Sequence, residues 1–359
     1  MKPGKLREQA GLSLVELLVA LTITLAVAGL ACALAIEAQA VWRADSARLD
    51  LQQRARVAVD VLARSLREAG RGPHAGSAAG PLLRSIAPVI PRRTGARRPD
   101  PPNSFRADAF SIIRAAAEVE PAALLLAAPA GAGALELSPG CAQPACGMTA
   151  STHVLLTDEA GNYDVFTITS VLGEVLTVRH HGPGSASAYA AGTAVVPVET
   201  ASFFHDRDER TLREYDGDAS DLPLLDDLVH MRVEYFGEGH PPEWPRPLDG
   251  AANCLYAADG GYNAALMPVL SPPGRLVPLP AGLLTDGPWC GGGNNSFDAD
   301  LLRVRRIRIT LRLQASDPAA RGLDPARFHH PGSARKESLL VPDITATIDV
   351  APPNLRRGR

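Results

Sequence analysis

The sequence predicts an α+β protein: a long N-terminal helix, membrane-spanning in its first half, packed on a large antiparallel β head. Three observations carry this prediction. Leu12 to Ile36 is 25 residues of nearly unbroken apolar sequence. Glu37 to Ala69 holds neither Pro nor Gly and repeats an apolar stripe at helical spacing. The remainder is rich in short β-branched runs, and 32 Gly and 31 Pro among 359 residues supply the turns between them.

The first 11 residues form a short basic leader, in which Lys2, Lys5 and Arg7 outweigh Glu8 by two charges. The apolar run 12–36 exceeds the roughly 20 residues that cross a bilayer, and Glu16 is its one charged residue. Segment 37–50 carries Glu37, Asp45 and Asp50 against Arg43 and Arg48. The positive end therefore stays cytoplasmic and the C-terminal body lies outside. Two other patterns overlap the run: a small-x-small cleavage pattern at Ala38-Gln39-Ala40, and a lipoprotein-like Leu30-Ala31-Cys32. The run is longer than the 7–15 apolar residues of a removable signal, and neither pattern accounts for a carboxylate at its start.

A carboxylate five residues into a span costs roughly 2.5–3.5 kcal/mol, so Glu16 is a functional candidate in its own right. It closes the stretch Gly11-Leu12-Ser13-Leu14-Val15-Glu16. With the basic leader before it and the apolar helix after it, this stretch resembles the prepilin signature of the N-terminal cleavage and methylation family. The resemblance implies cleavage by a prepilin peptidase between Gly11 and Leu12, N-methylation of Leu12, and Glu16 as the fifth mature residue. Leu12 departs from the commoner Phe at the first mature position. Physically, Gly11 lets an extended backbone enter a protease closely. The new Leu12 amine then has a natural partner in Glu16 of a neighbouring subunit, because an unpaired charge is expensive in lipid.

Residues 37–71 continue the helix outside the membrane. Leu51, Ala55, Ala58, Leu62, Leu66 and Ala69 make its stripe, and Gly70-Arg71-Gly72-Pro73 ends it. Residues 72–104 form a Pro/Arg-rich loop whose Arg92, Arg93, Arg97 and Arg98 read as a basic patch for wrapping the head or meeting an acidic partner. From 105 to 359 the chain reads as the β-rich head, with a Pro/Gly-rich insertion at about 238–300. Expected strands are Ala109–Arg114, Ala122–Ala128, His153–Thr157, Tyr163–Val171, Val175–His180, Thr193–Val198, Ala201–His205, Arg210–Tyr215, Leu228–Phe236, Val304–Leu313 and Leu339–Val350. A hairpin is expected at Gly173-Glu174. The stretches Leu224–Phe236 and Leu302–Leu313 resemble the PilW group of large minor pilins and the J-type pseudopilin of type II secretion.

Four of the five cysteines lie beyond the span, in an oxidising compartment, and are expected to pair as Cys141–Cys146 and Cys254–Cys290. They show no Cys-x2-Cys pattern or companion His spacing for zinc. Cys32 reads as a small apolar filler. Asp216, Asp218, Ser220, Asp221 and Asp227 follow the spacing of a calcium loop, without its Gly at position 6 or its Glu at position 12; a solvated turn is the plainer reading. His180-His181 and His329-His330 read as surface residues without acidic partners. No G-x-S-x-G, P-loop, H-E-x-x-H or dinucleotide turn occurs, so no enzyme and no cofactor is expected. The formal charge of -3 gives no reason to expect nucleic acid.

Together these readings lead us to expect a non-catalytic minor pilin of a type IV pilus-like filament, involved in initiation or at the tip. Its partners would be other minor and major pilins, the prepilin peptidase and an inner-membrane assembly platform, with the body in the periplasm. Two alternatives are a type II secretion pseudopilin and a prepilin-anchored adhesin. In the adhesin, Trp244, Trp289, Tyr256 and Tyr262 of the insertion would line a ligand site; otherwise they form a satellite core.

Overall fold

The computed structural model describes residues 13–71, 86–116, 119–158, 161–182, 184–243 and 252–356. The protein is α+β, with a single long apolar N-terminal helix and a large antiparallel β domain among these residues. Helix α1 (Leu14–Glu68) has 55 residues and at 1.5 Å per residue is about 80 Å long. No proline interrupts it. Gly70, at φ +71, turns the chain out of it, and a Cβ there would meet Pro88 Cγ at 3.0 Å.

The strands in chain order are β1 (Val89–Ile90), β2 (Ala109–Ala115), β3 (Ala122–Ala123), β4 (Ala134–Glu136), β5 (His153–Thr157), β6 (Tyr163–Leu172), β7 (Val175–His180) and β8 (Ala194–Asp206). They continue as β9 (Thr211–Tyr215), β10 (Asp221–Leu225), β11 (Leu228–Glu238), β12 (Leu276–Leu279), β13 (Trp289–Cys290), β14 (Phe297–Asp298), β15 (Val304–Leu313) and β16 (Ile344–Val350). A ten-stranded sheet has the path β1-β2-β8-β5-β6-β7-β4, with β3 and β9 also on β8 and β10 on β9. A four-stranded sheet runs β12-β11-β15-β16, and β13 pairs with β14 alone. The β6–β7 hairpin turns at Gly173-Glu174 as expected, with Leu172 opposite Val175 and Gly173 at φ +61.

Several strand expectations need correction. Thr193–Val198 and Ala201–His205 are one strand, because β8 passes from β3 and β5 to β2 and β9 without a break. Ala122–Ala128 is a two-residue strand, after which Leu124 and Ala128 make only isolated bridges. The last strand starts at Ile344, following Pro342, which lacks the N–H a ladder needs; Glu337–Leu339 is a 3₁₀ turn. Strand β10 was not anticipated because it contains Pro223, which is tolerated on an edge paired only with β9.

The chain divides into two compact units. The larger comprises Gln53–Gln314 with the segment from Ile344 onward. Here α1 buries Ala55, Ala58, Leu62, Ala63, Leu66 and Ala69. Arg54 reaches Asp227, just before β11, at 3.3 Å, and Asn354, just after β16, donates to the Ala69 carbonyl at 3.1 Å. Strands β11 and β16 are both antiparallel to β15 and so point the same way. The C-terminal part of α1 therefore runs along the four-stranded sheet in the direction of β11 and β16. That sheet buries Met231, Val233 and Tyr235 on β11 and Ile307, Ile309, Leu311 and Leu313 on β15. A sheet with one buried face needs a second layer, and the stripe supplies it. At its end α1 is also tied to β2: the Gly70 N–H donates to the Ile113 carbonyl at 2.9 Å, and Glu68 pairs with Arg114.

The smaller unit joins the chain up to Gln52 with Ala315–Asp343. Arg48 donates to the Leu340 carbonyl at 2.8 Å, and Lys336 pairs with Glu37 at 3.2 Å. Phe328 and Val341 are its buried apolar centre.

Truncation tests the second layer. A chain beginning at Glu37 should be soluble and monomeric, whereas one beginning at Gly72 should aggregate, as size-exclusion chromatography would show. In the longer chain Leu62→Ala or Leu66→Ala should each cost about 2–5 kcal/mol in urea unfolding. Leu49→Ala, at a residue 67% exposed, should stay within about 0.5 kcal/mol. Equal solubility of the two truncations would mean that the helix does not complete the core.

Candidate functional site

The N-terminal end of α1 is built by Ser13 and Glu16. The Ser13 carbonyl accepts the Leu17 N–H at 3.1 Å. Ser13 Oγ accepts the Val15 N–H at 3.3 Å, and Glu16 Oε2 accepts the Ser13 N–H at 3.3 Å. This reciprocal Ser-x-x-Glu arrangement is a capping box. The Ser-x-x-Glu spacing is visible in the sequence, where Glu16 stands out as the lone charge of the span and the last residue of the prepilin-like stretch. Gly11 and Leu12 lie outside the described residues.

Beyond Glu16 the helix is apolar on all sides. Its most apolar 18-residue window has a mean hydropathy of 2.5, and none of that window is buried. Such a helix is long and apolar enough to cross a membrane. Cys32 lies in it as a free, exposed thiol. Further on, Ala44 and Leu51 are buried while Trp42 is 80% exposed. Two residues correspond to about 200° around a helix, so Trp42 and Leu49 form an uncovered apolar line opposite the buried stripe.

Both expected disulfides form. Cys141 and Cys146 have Cα atoms 5.0 Å apart, and Cys254 and Cys290 have theirs 4.8 Å apart, ordinary spacings for the bond. Gly161 packs on the second bridge; a Cβ there would come within 2.8 Å of Cys254 Sγ. The bridges fit a body outside the cytoplasm. The insertion that contains the Cys254–Cys290 bridge has Tyr256 buried, its hydroxyl donating to the Pro242 carbonyl at 2.6 Å, with Tyr262 edge-on to it. Tyr262 and Trp289 are exposed, and Trp244 lies outside the described residues.

The acidic loop does not gather its five oxygen donors. Asp216 Oδ1 accepts the N–H groups of Asp218 and Ser220 at 2.8 and 3.1 Å and so closes the turn. Asp221 pairs with Arg213, Asp227 with Arg54, and Asp218 with Arg179. The basic patch is likewise dispersed. Arg92 is buried and donates to the carbonyls of Asn294 and Ser296, while Arg93 lies over the Phe204 ring. Arg97 and Arg98 remain exposed.

The first histidine pair departs most from expectation. His180 Nε2 is 2.6 Å from Asp164, which is itself buried and also accepts from Ser187, Tyr189 and Asn295. These bonds hold the Asp164 carboxyl below the usual range, against the upward push of burial. His181 is buried, and burial lowers its pKa to about 3. Its Nε2 bonds Thr167 Oγ1 at 2.7 Å, and that hydroxyl donates to Asp218 at 3.1 Å. The His153 ring lies edge-on, 4.8 Å from His181. The acidic partners are invisible to local spacing because they sit 16 residues before His180 and 37 after His181. His329 and His330 are exposed, as expected.

No family model matches this chain, and no curated protein matches it either.

The Cys254–Cys290 bridge closes a loop of 36 residues, for which chain entropy gives roughly 3–4 kcal/mol. Replacing both cysteines by Ser should lower the unfolding free energy by about that amount in denaturant titration. A change below about 0.5 kcal/mol would show that the insertion is held without the bridge.

Proposed function

We propose that the chain is a minor pilin-type subunit of a type IV pilus-like filament, a structural part acting in filament initiation or at the tip. The observation that carries this reading is the character of α1. Its first half is apolar all round and uncovered, its second half is amphipathic and covered, and no break separates them. A helix apolar on every side requires lipid or other helices around it. The single carboxylate at its start and the preceding Gly11-Leu12 fit processing by a prepilin peptidase at the cytoplasmic face. The exposed line of Trp42 and Leu49 offers helices of neighbouring pilins a contact beyond the lipid. On this reading the chain is held in the inner membrane with its body in the periplasm, before an assembly platform moves it into the filament.

Two measurements test the proposal. Mass spectrometry of the membrane-extracted protein should find a mature N-terminus at Leu12, carrying a methyl group. A terminus at Val41 or a lipid on Cys32 would overturn it. In cells that assemble filaments, Glu16→Ala and Glu16→Gln should both be processed and inserted normally. Both should enter filaments about tenfold less, the scale of one lost interaction of ~1.4 kcal/mol. Gln keeps an acceptor for the Ser13 N–H, so wild-type incorporation of Glu16→Gln would assign Glu16 to helix capping alone.

A further inference from the structure

We propose that His153, His181 and Asp218 form a binding site for a nitrogen-preferring divalent metal ion of the zinc class. The three residues come from separate parts of the ten-stranded sheet: the first residue of β5, the residue after β7, and the loop between β9 and β10. Register brings them together. His153 is opposite Thr167 on β6, and Thr167 is opposite Arg179 on β7, so these three stand in one row on one face. Asp216 shapes the β9–β10 turn through the Asp218 and Ser220 N–H groups, and Asp218 comes down onto the end of that row. One donor atom from each of His153, His181 and Asp218 then lies within 4.8 Å of the others.

The chemistry of the set selects the ion. Two imidazoles and one carboxylate suit zinc and its neighbours, whereas calcium takes six to eight oxygens. Around zinc, with ligands at about 2.0–2.1 Å, tetrahedral donors stand about 3.3 Å apart. The cluster would therefore contract by up to about 1.5 Å, towards which the half-buried His153 ring can move. Thr167 already orders the arrangement by bonding His181 and Asp218 together, the kind of support that fixes ligand orientation. Arg179 is the competitor, since it occupies an Asp218 oxygen. Its side chain is 50% exposed, so it can swing into solvent when a dication takes its place. Three protein ligands leave a fourth position for water. Bound there, the ion would fasten β5, β7 and the β9–β10 loop to one another.

The test uses the full chain in detergent micelles, stripped with a chelator and desalted, with Zn²⁺ and Ca²⁺ as probes. Calorimetry should find one saturable Zn²⁺ per chain. Free Zn²⁺ at a hundredfold excess over its Kd should raise Tm by about 3–5 °C, and Ca²⁺ should not. His153→Gln and Asp218→Asn should each weaken Zn²⁺ binding at least tenfold, while Arg179→Gln, which removes the competing cation, should tighten it several-fold. Arg179 is largely in solvent, so this variant remains informative if a ligand variant fails to fold. Absence of saturable binding would overturn the site. So would binding that survives both ligand substitutions, which would belong to a surface pair such as His329–His330, or an Arg179→Gln chain that binds no more tightly than the parent.

Discussion

Helix α1 has to remain one unbroken rod while its side chains meet two unlike surroundings, and the rest of the fold follows from that. From Leu14 to Ile36 every direction is apolar, so no face can be given to a soluble core. From Ala44 onward one line of small and branched apolar residues is buried, and Arg54, Asp60 and Arg64 occupy other faces. Full burial of Leu51, Leu62 and Leu66 contributes about 1.5–3 kcal/mol each. Surface ion pairs such as Arg48–Asp45 contribute about 0–1 kcal/mol. In the larger unit Leu62 and Leu66, and not the charges around them, therefore keep the last turns of the helix on the sheet.

Long loops meet the opposite problem, since their carbonyls need donors and their composition offers few. Buried guanidinium groups supply them. Arg303, fully buried beside Asp300, donates to the carbonyls of Gly239 and Pro268 at 3.3 and 2.9 Å. Arg92 does the same for Asn294 and Ser296. A planar fork of donors can serve several backbone oxygens at once, which an ammonium does less well. Burying such a charge costs several kcal/mol unless it is paired; Asp300 lies against the Arg303 guanidinium, while burial pushes the Asp300 carboxyl up to about 8. These arginines and the Cys254–Cys290 bridge hold the insertion between its short ladders, β11–β12 and β13–β14.

What was legible in the sequence was what repeats. The helix, the Gly173-Glu174 hairpin and strands β5, β7, β11 and β15 announced themselves by period or by a turn signal, because each periodicity is imposed by burial on one side. Strands β1, β12, β13 and β14 have two to four residues, too few to show alternation. The two disulfides were legible from compartment and count. The His153, His181 and Asp218 cluster was not, for a definite reason. His181 looked like a strand-end residue and Asp218 like part of a solvated turn, and only the pairing of β5 with β6 and β6 with β7 places them together. Arg92 was misread likewise: four arginines close in sequence suggested a patch, while tertiary contacts draw one of them inward.

On the proposed function, Glu16 would satisfy a local and an intermolecular demand together. Capping engages the Glu16 carboxylate locally, and an ionised group that enters lipid remains costly; on the proposed function a cation from a neighbouring subunit would offset more of that cost. The cap does not exclude one. It engages a single oxygen of Glu16 with the Ser13 N–H, and a carboxylate has acceptor capacity for about four bonds. By holding the side chain against the first turn, the capping box also fixes the direction from which a neighbouring amine can approach. Local helix chemistry thus orients the charge, and the low dielectric around it makes its pairing selective. On the proposed function, this is how register between subunits would be set at the very residue where the helix begins.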